Sequence, residues 1–482
     1  MLKKLNQLFP LSLKMLTMKL SSFIILLILL CADVIAQESK NITLLDRWHE
    51  DSLITNSSNV RYSGCWGFER NGVEYAIIGS TEGSHFFKLD NEENKLVPVD
   101  FVEGKFVSTM VIHREFKTFG NYAYATCDEG SSSLQIIDLS YLPDSVVKVV
   151  DIQDERFGKI HNLFIDTANA LLYTCLVTPF SGGNAQSIIP MRVFSLNDPL
   201  DPQLLWEGPS DIPEVHDCYV RNNIAILNCG MDGLRVYDFS NPSSPIYKSN
   251  LTFYQDQGYN HQGWLTPDGN TYVFADETNG KRVKKCKLED DLSIEVQVSF
   301  GTEWENGSIP HNIMCSNEFA FIAYYNEGLR VFDLRYGTPK EIAHYDTYPE
   351  ENIFKMNGAW GVYSQYSSGR IIISDRQYGL FLFAFNKEIF LDLPDTDQFT
   401  VYPNPVFEGE TVLLRAPKDE NSEFNVELLS ADGKKLIEFD VIGQSFCEIP
   451  MSYAPGTYFL KFTYENYLGD AILETKKLII QN

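Results

Sequence analysis

Gly233-Leu-Arg-Val-Tyr-Asp238 and Gly328-Leu-Arg-Val-Phe-Asp333 are near copies of each other, and Ser133-Leu-Gln-Ile-Ile-Asp138 and Gly379-Leu-Phe-Leu-Phe-Ala384 follow the same plan. Their β-branched and aromatic residues suit a pleated, buried strand. In several copies Ser or Pro follows the closing Asp, as in Asp238-Phe-Ser-Asn-Pro242. An aspartate there can hold an Asx-type turn and reverse the chain into a further strand.

Outward from this strand, a larger unit recurs: a His or Trp opens a first strand, a second apolar strand follows, then an acidic-Gly turn and the quoted strand. The unit occurs seven times, opened by Trp66, His113, His161, His216, His261, His311 and Trp360, at intervals of 47, 48, 55, 45, 50 and 49 residues. Four short strands with their turns fill such an interval, which is the size of a propeller blade. The fold class expected is all-β: a seven-bladed β-propeller over residues 41–386, followed by a small Ig-like β-sandwich. Fourth strands are expected at 96–102, 146–152, 203–206, 246–251, 294–298 and 341–345, and the seventh unit has none of its own. An orphan strand, Ile42-Thr-Leu-Leu-Asp-Arg-Trp48, precedes the first unit. It is expected to become the outer strand of the last blade and so close the ring.

The residues Trp66-Gly-Phe68, Glu74-Tyr-Ala-Ile-Ile-Gly79, His161-Asn162, His216-Asp217, His261-Gln-Gly-Trp264, Asp276-Glu277, His311-Asn312, Tyr345-Asp-Thr-Tyr348 and Gly358-Ala-Trp-Gly361 resemble the LVIVD-repeat propellers. From Leu44 to Phe385 the chain resembles the choice-of-anchor B family of exported bacterial proteins. That resemblance implies a surface location and a variable C-terminal anchor, and it implies no particular reaction.

Both chain ends read as addresses. Lys14 and Lys19 precede the apolar run Phe23 to Leu30, and Val34-Ile35-Ala36 follows it. This is the pattern of a signal peptide, residues 1–36, cut after Ala36. The alternative, an N-terminal anchor, would need ~20 apolar residues, more than the run supplies. No later stretch reaches that length, so no transmembrane segment is expected in the mature chain. Cutting removes four lysines and one aspartate, which takes the net charge from −26 to −29. So acidic a protein repels nucleic acid and attracts cations. Eight cysteines remain, none in a Cys-x-x-Cys pair. Those at 65, 127, 175, 218 and 315 lie in apolar strands, where cysteine acts as a small buried hydrophobe, and spacing does not assign disulfides.

An acidic linker, 387–399, leads to a tail at 400–482 that alternates strand and turn patterns. Its motifs are Tyr402-Pro403-Asn404-Pro405, a Gly433-Lys434 turn, Gly456-Thr-Tyr458 and Lys476-Lys-Leu-Ile-Ile480. Together they resemble the type A C-terminal sorting domain of the type IX secretion system. The resemblance implies that the secretion machinery is a partner, and that the protein is secreted or attached to the outer-membrane surface. An ordinary adhesive sandwich domain is the alternative.

In a propeller the first strand of each blade lines the central channel, so the five histidines are expected to gather at one mouth. An acid stands 15 or 16 residues after most of them: Asp128, Asp232, Asp276 and Glu327, with Asp375 after Trp360 and Glu277 beside Asp276. Each histidine could bond the acid of its own blade and pin the fold, and repetition at a fixed offset favours this reading. The set could instead bind a ligand or a divalent cation, Asp276-Glu277 being the densest acidic pair. The function expected is a binding scaffold for an extracellular protein, glycan or small ligand. The alternative is a metal-dependent extracellular hydrolase. No phosphate loop, Gly-x-Ser-x-Gly elbow or His-Glu-x-x-His helix occurs, which removes support from those chemistries.

Overall fold

The fold was read from a computed structural model, which describes residues 39–302, 309–349, 356–385, 387, 399–416, 424–441, 446–465 and 471–481. The expected signal peptide, and all of the expected linker but its two end residues, lie outside the described residues. Every regular element described is a β-strand, and the chain divides between Ala384 and Phe385 into two compact units.

Among the described residues of the first unit, seven antiparallel sheets succeed one another along the chain. Their first strands are Tyr62–Arg70, Arg114–Phe119, Gly158–Asp166, Asp217–Arg221, Asn260–Leu265, Ile313–Cys315 and Ala359–Tyr363. These strands adjoin one another in chain order, and Ala359–Tyr363 returns to adjoin Tyr62–Arg70. The sheets therefore make a closed, propeller-like ring.

The glycine that opens the recurrent third strand has a local cause. Gly233, Gly328 and Gly379 have φ of +76°, +73° and +94°. A Cβ at each would stand 2.1, 2.2 and 2.0 Å from the carbonyl oxygen of Leu251, Tyr345 and Trp48, on or beside the outer strand. No other residue fits both conditions. The aspartates that end these strands form the expected turns, with Asp138 and Asp238 accepting from the N–H of Ser140 and Ser240 at 2.8 and 2.9 Å.

Strand Ile42–Trp48 pairs with Gly379–Phe385, the outer position expected for it. Two further devices were not visible in the sequence. Ser39 and Lys40 pair with Tyr345 and His344, adding a fifth strand to the sixth sheet, so the N-terminal segment laces two sheets together. Arg370 of the seventh sheet donates to Glu74 of the first at 2.9 Å from Nε, and Ser368 N–H donates to the same carboxylate at 3.0 Å. Both charges are buried, and together with Tyr366 Oη on Tyr75 O at 2.7 Å they fasten the last sheet to the first.

Hydrophobic clusters fill the spaces between sheets. One runs from Phe68 and Ile77 to Phe116 and Ile137, another from Tyr173 and Val193 to Cys218 and Phe239. All eight described cysteines are free thiols, and all but Cys447 are buried, as expected of small hydrophobes.

The second unit holds a three-stranded and a five-stranded sheet around one core that includes Phe399, Val412, Leu414, Val426, Leu460, Phe462 and Leu478. Asn404 explains much of the first tail motif. Its side chain accepts from Ile479 N–H at 3.0 Å and donates to Lys477 O at 2.7 Å, clamping the final strand. Gly433, with φ of +81°, completes the turn in which Ser430 N–H donates to Lys434 O. Gly456 begins a strand, and Tyr458 Oη donates to Ala454 O at 2.7 Å, while Tyr402 is half exposed.

Candidate functional site

The five histidines converge. Ring centroids are 4.9 Å apart for His113 and His161, and 4.3 Å for each of the next three neighbouring pairs. Trp360 continues the series at 4.1 Å from His311 and closes it at 5.0 Å from His113. In a six-membered cycle the radius equals the side, so these rings stand close around the axis.

Seven sheets thus present six rings, because the first supplies none. Trp66 lies elsewhere, against Tyr363 and under the Lys117 ammonium, which corrects its place in the repeat. The register identifies the true counterpart: Cys65 pairs with Ile78 as Gly361 does with Ser374, so Gly64 matches Trp360. A Cβ on Gly64 would fall 2.4 Å from the Glu115 carboxylate. The indole of Trp360 spans the missing position, and its Nε1–H donates to Glu115 at 3.0 Å.

A local irregularity turns two successive residues inward. The strand registers slip at His261 and at Trp360, the bulge geometry that re-aims a side chain. Gln262, next in sequence, pairs with the sixth sheet, accepting from Ile313 N–H at 2.7 Å and donating to Ile313 O at 3.2 Å. Asn162 donates to Asp217 at 2.6 Å across the third and fourth sheets. These amides join adjacent sheets, as do His216 and His311, whose Nδ1 atoms face the carbonyl oxygens of His261 and Trp360 on the next sheet at 3.1 and 2.6 Å.

The acids divide into two groups. Glu129 contacts His113 Nδ1 at 2.6 Å, and Asp128 contacts His161 Nδ1 at 2.8 Å. Asp128 therefore serves the next sheet's histidine and not His113, whose partner is one residue further on. Glu277 lies 3.7 Å from His261 Nε2 and 3.9 Å from His311 Nε2, and it accepts from Tyr325 Oη. Asp276, Glu327 and Asp375 are occupied in the fold. Asp276 is fully buried against Lys284 at 3.0 Å and Tyr254 Oη at 2.7 Å. Glu327 accepts from Thr302, and Asp375 accepts from Thr347, Gln377 N–H and Tyr378 N–H. Asp232 bonds none of the five histidines among the described residues. In the third sheet, where the acid is missing from the repeat, Gly182 and Gly183 form a hairpin tip.

The charge states follow from these partners. Burial opposes the charge on His161, but the bond and charge of Asp128, with Glu115 and Asp217 behind, outweigh it and raise its pKa. His216 is held well below the usual imidazole range by burial and by its histidine neighbours, and so is His311. Burial brings His261 down to about 4, against the pull of Glu277. Beneath the ring, burial raises Glu115 and brings Asp217 up to about 7, while it lowers Lys117. Glu115, Glu129, Lys117 and Arg376, which caps the Trp360 ring at 4.8 Å, were missed in the sequence. For Glu115 and Lys117 the available signal was alternation along a first strand, 113, 115 and 117.

Residues 227–252 match the LVIVD repeat. They contain the third and fourth strands of the fourth sheet. Among curated proteins, none matches the chain. Similar solved structures include the extracellular domain of B. thetaiotaomicron BT4673, at 11% identity and a TM-score of 0.45, covering 90% of this chain. The chain spans 60% of that domain's length. A Lactobacillus plantarum protein matches at 13% identity and a TM-score of 0.46, over 81% of this chain and 99% of its own. The computationally designed Ika8 protein matches at 10% identity and a TM-score of 0.45, over 70% and 98%.

Proposed function

We propose that the chain is an exported binding protein: a seven-bladed β-propeller that engages its ligand at the histidine-lined channel mouth, delivered by the type IX secretion machinery through its C-terminal domain. The observation that carries the binding reading is the closed cycle of five histidines and Trp360, with Asp128, Glu129 and Glu277 beside it. Polar, partly desolvated groups converging on one place are what a ligand site requires. The delivery reading rests on the tail motifs and on the way Asn404 and Gly433 are used within the two-sheet unit. In this reading the protein ends secreted or held at the outer-membrane surface, and the ligand is an extracellular protein, a glycan or a small molecule.

The experiment has two arms. Glycan arrays and cell-surface pull-downs with the purified chain are expected to return a ligand that a Glu129→Gln, Asp128→Asn double variant holds more weakly. Equal capture by the variant would overturn the mouth as the site. Deleting residues 400–482 is expected to leave the protein in the periplasm, and continued surface display would overturn the sorting role.

A further inference from the structure

We propose that His216, His261 and Glu277 form a binding site for one divalent transition-metal ion of the zinc class. This rests on the channel mouth being a ligand site, and it names one ligand. One ligand atom from each of the three residues lies within 4.8 Å of the others. Zinc–ligand bonds of ~2.1 Å in a tetrahedron place donor atoms roughly 3.4 Å apart, so small side-chain rotations complete the set. The nearest pair, His261 Nε2 and Glu277, already stands at 3.7 Å.

The outer contacts fit ligation. His216 Nδ1 faces His261 O at 3.1 Å, so the ring donates its proton there and leaves the Nε2 lone pair free. Metal-bound imidazoles commonly donate their other nitrogen to a carbonyl in this way. Glu277 is oriented by the Tyr325 hydroxyl. An independent observation points to the same place. His311 donates from Nδ1 to Trp360 O at 2.6 Å, and its Nε2 is buried with no hydrogen-bond partner among the described residues, 3.9 Å from Glu277. A buried acceptor without a partner costs stability, and a cation beside Glu277 would supply the missing contact. Imidazoles with one carboxylate favour zinc, copper, nickel or iron over magnesium and calcium.

The test uses the full mature chain, stripped with EDTA and titrated with Zn²⁺ against a chromogenic chelator, then with Co²⁺ while the visible spectrum is recorded. One equivalent of each metal is expected, with Co²⁺ bands of a nitrogen and oxygen site. Glu277→Gln and His261→Gln are each expected to weaken binding at least about 100-fold. Glu93→Gln, in an exposed pair with Lys95, is expected to change it little. No uptake, a thiolate charge-transfer band, or unchanged affinity in both variants would overturn the site. Should a variant unfold, the wild-type melting temperature decides: Zn²⁺ raises it if the folded chain binds the ion, and an unmoved temperature would overturn the proposal. Ligand capture repeated in EDTA separates the two readings. Capture without metal uptake ends the metal site alone, and metal uptake without capture ends the wider binding role alone.

Discussion

The two arcs of the histidine ring hold the same residue in opposite surroundings. His113 and His161 each lie on a carboxylate oxygen, at 2.6 and 2.8 Å, and remain partly exposed. His216, His261 and His311 are buried, two of them facing backbone carbonyls, and share the single acid Glu277 at longer range. In the first arc the Asp128 carboxylate favours imidazolium at His161, while burial favours neutral imidazole throughout the second. Proximity of a carboxylate and depth of burial decide the state, and the residue type does not.

Trp360 is where the arcs meet, so its removal should break the comparison most severely. Trp360→Ala would open a cavity beside His113, His311 and Glu115, and the expected loss is about 3–5 kcal/mol in urea unfolding. A loss below 1 kcal/mol would show that the ring does not need its sixth member.

The neutral arc should set the acid limb of the stability curve. A base whose folded pKa lies below its unfolded value loses stability as pH falls through the unfolded value, near 6.5, down to the folded one. For His261 that window runs to about 4 and corresponds to roughly 3 kcal/mol. His261→Gln is expected to flatten the unfolding profile between these limits. An unchanged slope would place the acid sensitivity elsewhere.

The His161 pair should behave in the reverse sense and more weakly. His161 has a raised pKa, so its contribution is complete below the unfolded value and is lost as pH rises through the folded one. Asp128→Asn is therefore expected to cost about 1–2 kcal/mol at pH 5.5 and less at pH 8.5. Equal costs at the two pH values would mean that the pair is not charged.

Much of the fold was legible because it is repetitive. The glycine, the apolar alternation and the closing aspartate of the third strand each answer a local demand, so each recurs, and Ile42–Trp48 announced itself by lacking a partner. The site was legible only in part. The histidines were found because they repeat. The acids were misassigned by one residue at Glu129, and across a sheet boundary at Asp128. A count along one unit cannot see that a turn reaches its neighbour.

By itself, then, the sequence determined the strand repeat, the succession of the sheets and the gathering of five histidines, because these depend on φ, on side-chain alternation and on an interval of fixed length. Only the tertiary structure decided which carboxylate serves which imidazole, that Trp360 covers the place vacated by Gly64, and that Glu277 stands between His261 and His311. Those relations depend on closure of the ring, where charge and burial are set across sheets by residues distant in the chain.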